Sequence, residues 1–278
     1  MLRYEPLRGS HAVQEAVFFI QFAPEIPKSA FAQISAQCSE IEFFLPLKSD
    51  IRVMQFTQNE DGSSSFSSDI GGLEFSRKDG DSPPTWLMRF GAEGVSVHCM
   101  DYTRYDDVWE RARGLLLKAL ETVPSGHAIG AVGMRYIDRF RYVSEFGEYD
   151  LKVLFKEPNR YLSPRCFEAG PRWHCHNGWF APVQGMDADL GFDAESLNQL
   201  NLASAEEITP AGSSMFVTID HNLIVRPLQL GDFSVSEQHH AWLDQLMLAL
   251  HKDNKRTMYQ LLTGAVCKRL NLVADGRG

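Results

Sequence analysis

The sequence has no pair of cysteines at C-x-x-C spacing, and its five cysteines (Cys38, Cys99, Cys166, Cys175, Cys267) are scattered and odd in number. Secreted disulfide frameworks are denser and even, so a reducing, cytoplasmic compartment is expected. No apolar run approaches the roughly 18 residues of a membrane span, the longest compact one lying at residues 16–22. The opening Met1-Leu2-Arg3-Tyr4-Glu5 has no apolar stretch of the secretory kind. Basic residues are in the minority, 27 Lys and Arg against 36 Asp and Glu, and the net charge is −9. That balance argues against a general nucleic-acid coat or a polybasic membrane binder. G-x-G-x-x-G and the Walker lysine are missing, so nucleotide-phosphate chemistry has no motif behind it. G-x-S-x-G is missing too, so no nucleophile elbow is expected.

What is present is ordinary globular composition, with 44 % hydrophobic and 23 % charged residues in 278. A chain of this length buries roughly three-quarters of its unfolded surface and needs no staple. Residues 16–22, 51–56, 73–77, 85–90 and 95–100 read as strands, with turns at Asp79-Gly80 and Glu93-Gly94. Phe31, Ile34 and Cys38 share one helical face after Pro27. Residues 59–69 have the composition of a loop. Residues 107–123 carry one apolar stripe and predict a long helix, with Asp107 as its cap and Glu110 completing a capping box.

Pro124-Ser125-Gly126 stops that helix and divides the chain. Residues 129–142 read as extended, and 178–183, 186–192 and 215–225 as further strands. Residues 200–208 read as a loop or short helix. Two helices are expected at the end, 237–251 and 255–270, separated by Asp253-Asn254. The fold class expected is α+β: two strand-rich halves, 1–124 and 125–278, with antiparallel sheet backed by long helices and a pseudo-duplicated order. The halves are either separate or one continuous domain. The first carries −6 of the charge and the second −3, which leaves room for one local basic strand.

That strand is Arg135–Tyr142. In extended conformation Arg135, Ile137, Arg139 and Arg141 share one face, with Tyr136 on the other. Guanidiniums about 7 Å apart could track phosphates, and interleaved aromatics suit single-stranded nucleic acid. The plain alternative is a strand whose arginines pair with neighbouring carboxylates. A match of each arginine to Asp or Glu favours that alternative.

His174-Cys175-His176, with Cys166 nearby, offers zinc-compatible ligands, but alternate strand residues face apart and no second motif completes a tetrahedron. Asp187, Asp189, Asp193 and Glu195 fail the calcium-loop pattern, since Phe192 and Asn198 occupy its glycine and glutamate positions. His239-His240 begins a helix, where the dipole favours neutral rings. His98 and Cys99 are adjacent on a strand and so face apart, which excludes a Cys–His dyad from that pair.

Three stretches carry a resemblance. They are Tyr4-Glu5-Pro6-Leu7 with Gln14-Glu15-Ala16-Val17 leading into Phe22, then Gly133-Met134-Arg135-Tyr136-Ile137-Asp138, and finally Leu250-His251-Lys252-Asp253-Asn254-Lys255. Over nearly the whole chain, their order and spacing resemble a sporadically distributed family of uncharacterised prokaryotic proteins of about this length. Asp138 departs from it, standing where Asn is expected more often. The resemblance implies no particular activity. Its patchy distribution implies horizontally exchanged genes, and with them prokaryotic defence or conflict systems.

The expectation is a non-catalytic binding or accessory protein of the prokaryotic cytoplasm, acting through an unidentified protein partner. It needs no cofactor and no metal, docks on no membrane, and leaves homo-oligomerisation open. One rival is a nucleic-acid or phosphoryl-ligand binder using Arg135, Tyr136, Arg139 and Arg141. Another is a metal-assisted hydrolase around His174 and His176.

Overall fold

A computed structural model describes residues 3–58, 64–183, 193–209, 212–229, 234–235 and 239–273. A short strand, Tyr4–Pro6 (β1), turns through an Arg8–His11 bridge into Val13–Phe22 (β2), the aromatic-rich run the sequence marks as a strand. Two short helices follow, Phe31–Gln37 (α1) and Ser39–Phe44 (α2), and Phe31, Ile34 and Cys38 are all buried. A meander comes next: Leu47–Gln58 (β3), Ser64–Arg77 (β4), Trp86–Gly91 (β5) and Gly94–Cys99 (β6). The loop expected over 59–69 is shorter than its composition suggests, because residues 64–69 pair with β3 as part of β4; residues 59–63 lie outside the described residues. The long helix Tyr105–Glu121 (α3) starts two residues before Asp107. Asp107 is therefore not its cap; it forms an ion pair with Arg104 at 3.0 Å.

The second half opens with Ile129–Tyr142 (β7), then short turns and Pro164–Glu168 (α4) lead to Trp173–Pro182 (β8), Ala194–Thr209 (β9) and Gly212–Pro227 (β10). Residues 200–208 are strand, correcting the loop-or-helix expectation. Leu200 and Leu202 are fully buried, and the whole segment is laddered to β10. Cross-strand pairing over sixteen residues outweighs the helical leaning of its Ala and Glu residues. The strand expected at 186–192 falls outside the described residues. Asp253-Asn254 does not interrupt the last long helix, His239–Leu261 (α5), which a short Gly264–Arg269 (α6) follows. Asp253 pairs with Arg256 one turn on, and Asn254 turns inward.

All these strands join one antiparallel sheet in the order β3-β4-β5-β6-β2-β7-β10-β9-β8, with β1 beside β7 beyond the end of β2. In each half the opening strand, β2 or β7, pairs with the last strand of its own meander, β6 or β10. Period-two alternation sends Val132, Met134, Tyr136, Asp138 and Phe140 of β7 beneath the helices, and Arg135, Ile137, Arg139 and Arg141 to the other face.

The helix-covered face holds two apolar clusters. The first packs α3 and Leu243, Leu246, Met247 and Leu250 of α5 on the first half of the sheet. The second packs Met258, Leu261 and α6 on β1 and the far ends of β7, β9 and β10. α5, about 34 Å long at helical rise, lies over both. Its stretch between them carries His251 and Asn254.

Three irregularities shape the opposite face. Gln14 is skipped in the β2–β7 register, where Val13 faces Asp138 and Glu15 faces Ile137. This bulge reverses the alternation of the residues before it, sending Val13 toward the helices, while Glu15 shares the opposite face with Val17 and Phe19. Gly71 is skipped between β3 and β4, and a Cβ there would stand 2.2 Å from Val53 Cγ2. Gly133 leaves the space that the Phe19 ring occupies, since a Cβ would stand 2.5 Å from Phe19 Cζ. With its glycine kink and bulges the sheet curls. Ile51 and Val53 of β3 therefore line the same groove as Asn222 of β10, although six strand spacings in a flat sheet would put them about 29 Å apart.

Candidate functional site

The curl makes a groove of 610 Å³ on the face that, among the described residues, no helix covers. Its apolar lining comes from Val17 and Phe19 of β2 and Ile51 and Val53 of β3. Glu15, Ser96, His98 and Arg89 supply the polar part, with Arg135 and Asn222 at the β7–β10 side. The volume lies within the usual range of small-molecule pockets.

Ser96 and His98 are two apart on β6, so both point into the groove. Glu15 reaches them from β2, on the same face as Val17 and Phe19. Glu15 Oε1 lies 2.6 Å from His98 Nδ1, and His98 Nε2 lies 3.0 Å from Ser96 Oγ. The bond to His98 holds the Glu15 carboxyl below the ordinary carboxylate range, with Arg135 and Arg89 adding to the effect. An ionised carboxylate only accepts, so Nδ1 carries the imidazole proton. In the neutral ring Nε2 is then an acceptor, and the Ser96 hydroxyl donates to it.

The arginine strand is neutralised in place. Arg135 makes two bonds of 2.7 Å to Asp220, one to each carboxylate oxygen. Arg139 pairs with Glu207 and lies 4.0 Å over the Phe216 ring. Arg141 meets Glu5 at 2.9 Å. Tyr136 is on the opposite face, where its hydroxyl is 3.1 Å from His251 Nδ1. The four residues singled out from the sequence thus do not converge.

Beneath α5 a polar seam separates the two apolar clusters. His251 stacks on Tyr105 at 4.0 Å and meets Tyr136. His221, 1 % exposed, is 2.9 Å from the Asn254 amide and 3.2 Å from the Asn198 amide. Asn198 donates to Ser196 Oγ, which turns its carbonyl oxygen to His221 Nε2, while the Asn254 carbonyl oxygen faces Nδ1; a neutral ring has one N–H and donates to one of the two. Burial pushes the His221 pKa down to about 4. Asp138 lines a 230 Å³ cavity at the end of this seam, beside Tyr102, Tyr136 and Lys255. Burial pushes its carboxyl up to about 7.

His174 and His176 project from the terminal strand β8 with ring centroids 5.4 Å apart, both exposed. Cys175 points the other way, toward the Tyr161 carbonyl, and Cys166 is buried on α4. Among the described residues no group of three His, Cys, Asp or Glu side chains is placed to hold a metal ion. Asp187 and Asp189 lie outside the described residues.

The Glu15–His98–Ser96 array is what sequence reasoning missed. S-x-H on an alternating strand was its one local signal, and Glu15 is 83 residues away from His98. No family model matches the chain, and no curated protein matches it either.

Proposed function

We propose that the protein binds a small, largely apolar ligand with an uncharged polar head in the groove of the uncovered sheet face. The carrying observation is that groove: an apolar lining of Val17, Phe19, Ile51 and Val53 beside a compact polar cluster. Its charge balance disfavours an anionic head group. Glu15, Glu25 and Glu93 line it, while Arg135 and Arg89 are each already paired to a carboxylate, Asp220 and Glu74. An anionic head would meet repulsion there, and an amide or ester would not.

A protein partner has separate support. Strand β3 ends the sheet order; Met54 on it is 73 % exposed, and Phe43 at the end of α2, which leads into it, is 78 % exposed. An open edge flanked by apolar side chains suits addition of a partner's strand. The nucleic-acid reading has less behind it, since every arginine of the β7 row has a carboxylate partner. The metal-hydrolase reading rests on two exposed histidines only. Internal duplication of the chain is supported by the mirrored strand order about the β2–β7 pair. All five cysteines are free, which supports a reducing cytoplasm. A role in prokaryotic defence rests on the sequence resemblance alone.

Octanamide is an uncharged probe of this ligand class. Calorimetric titration is expected to show one site per chain, and Val53→Arg, which puts a charge on an already exposed part of the lining, to weaken it at least tenfold. Equal binding to both proteins would place the ligand elsewhere.

A further inference from the structure

We propose that Glu15, His98 and Ser96 form an acyl-transfer centre, and that the ligand of the groove is a neutral carboxylic ester cleaved through an acyl-Ser96 intermediate. The inference rests on the groove being the ligand site. It adds a reaction to it.

Three parts of such a centre are in place. Ser96 Oγ is within 3.0 Å of an imidazole nitrogen that can accept its proton. That imidazole is oriented through its other nitrogen by a carboxylate at 2.6 Å, and the carboxylate is held ionised, so it fixes the productive tautomer. This is the nucleophile–base–orienter geometry by which such sites are recognised, whatever the fold or chain order. The groove beside it offers an apolar lining for the acyl chain. None of the three side chains serves to satisfy a buried group: His98 and Glu15 are 16 % and 27 % exposed and could be solvated instead. Glu15 faces the groove by the same alternation as Val17 and Phe19, on a register with β7 that is unbroken from Glu15 to Gln21.

The oxyanion needs donors, and the strand cannot supply them from its backbone, because β6 is laddered on both sides, to β2 and to β5. Arg89 stands directly opposite Ser96 in the β5–β6 register and lines the same groove. Glu74 holds its Nε at 2.9 Å, and the side chain remains 55 % exposed. Its two terminal amino groups are the donors assigned to the oxyanion.

The steps balance without a co-reactant other than water. Ser96 Oγ bonds to the ester carbonyl carbon as its proton passes to His98 Nε2. The tetrahedral oxyanion collapses, the bond to the alkoxy oxygen breaks, and His98 returns that proton to the leaving alcohol. Water then bonds to the acyl carbon while His98 takes one of its protons. The bond to Ser96 Oγ breaks, that oxygen recovers the proton, and the free acid departs.

The test uses the full chain, an alkyl fluorophosphonate, and p-nitrophenyl butyrate. Expected is a single adduct, placed on Ser96 by peptide mass spectrometry and absent in Ser96→Ala. Ester turnover should fall at least 100-fold in His98→Gln and about tenfold in Glu15→Gln, all variants keeping the native circular-dichroism spectrum. A folded native chain without label on Ser96 would overturn the inference, as would labelling indifferent to His98→Gln. If Ser96 stays unlabelled while octanamide still binds the native chain and fails with Val53→Arg, the reaction is wrong and the groove reading stands. If octanamide does not bind either, both fall.

Discussion

At pH 8, Asp138→Asn is expected to raise the free energy of unfolding by on the order of 3–4 kcal/mol, and at pH 4 to leave it nearly unchanged. Asp138 is 6 % exposed, and among the described residues it has no hydrogen-bond or ion-pair partner for its carboxylate. Burial raises its pKa from an ordinary 3.8 to about 7. Below 3.8 the carboxyl is neutral in both the folded and the unfolded chain, and its contribution to stability is complete. Between 3.8 and 7 the unfolded chain gives up the proton and the folded chain keeps it, so stability falls as pH rises. Above 7 the loss is constant. An amide of the same shape never ionises and escapes the loss. Urea unfolding of both proteins across this range checks it, and a difference that does not grow with pH would show that Asp138 is charged and compensated in the folded chain.

His221→Leu should have an effect of similar size and opposite sign, costing about 2–4 kcal/mol at pH 7. The leucine would leave two buried amides, Asn254 and Asn198, without the ring that now joins them. The imidazole is neutral when folded, its pKa lowered from 6.5 to about 4. Its contribution is therefore complete above 6.5 and is lost as pH falls toward 4. The gap between native and variant should narrow over that range, because only the native chain pays for keeping the ring uncharged. A gap independent of pH would mean that the folded ring titrates normally.

The two groups oppose each other in one window. Between about pH 4 and 6.5, Asp138 makes stability fall with pH and His221 makes it rise, by about 1.4 kcal/mol per unit each. The native chain should be nearly level there as far as these two are concerned. Each substitution should expose the slope of the other group.

Local pattern made much of the fold legible. The apolar stripe of α3, the aromatic run of β2 and the alternation of β7 are each set by burial on one face, and period reports burial directly. Segments whose polar side chains find partners within the fold read differently in the sequence. Asp253-Asn254 has the composition of a helix stop, but Arg256 and His221 engage the two side chains within a continuous α5. Residues 200–208 have helical composition and are held as strand by β10. The arginine row was visible because it lies on one strand, and its neutralisation was not, because Glu5, Glu207 and Asp220 come from three other places in the chain. The Glu15–His98–Ser96 array was hidden for the same reason, because Glu15 comes from β2 and the other two from β6.

The central claim is that the uncovered sheet face is where this protein binds its ligand. Methyl-resolved NMR of the native chain titrated with octanamide tests it most directly. Shifts confined to Val17, Ile51 and Val53 are predicted, with Leu223 and Val225 on the helix-covered face unmoved. Shifts at Leu223 and Val225 with Val17, Ile51 and Val53 silent would contradict it.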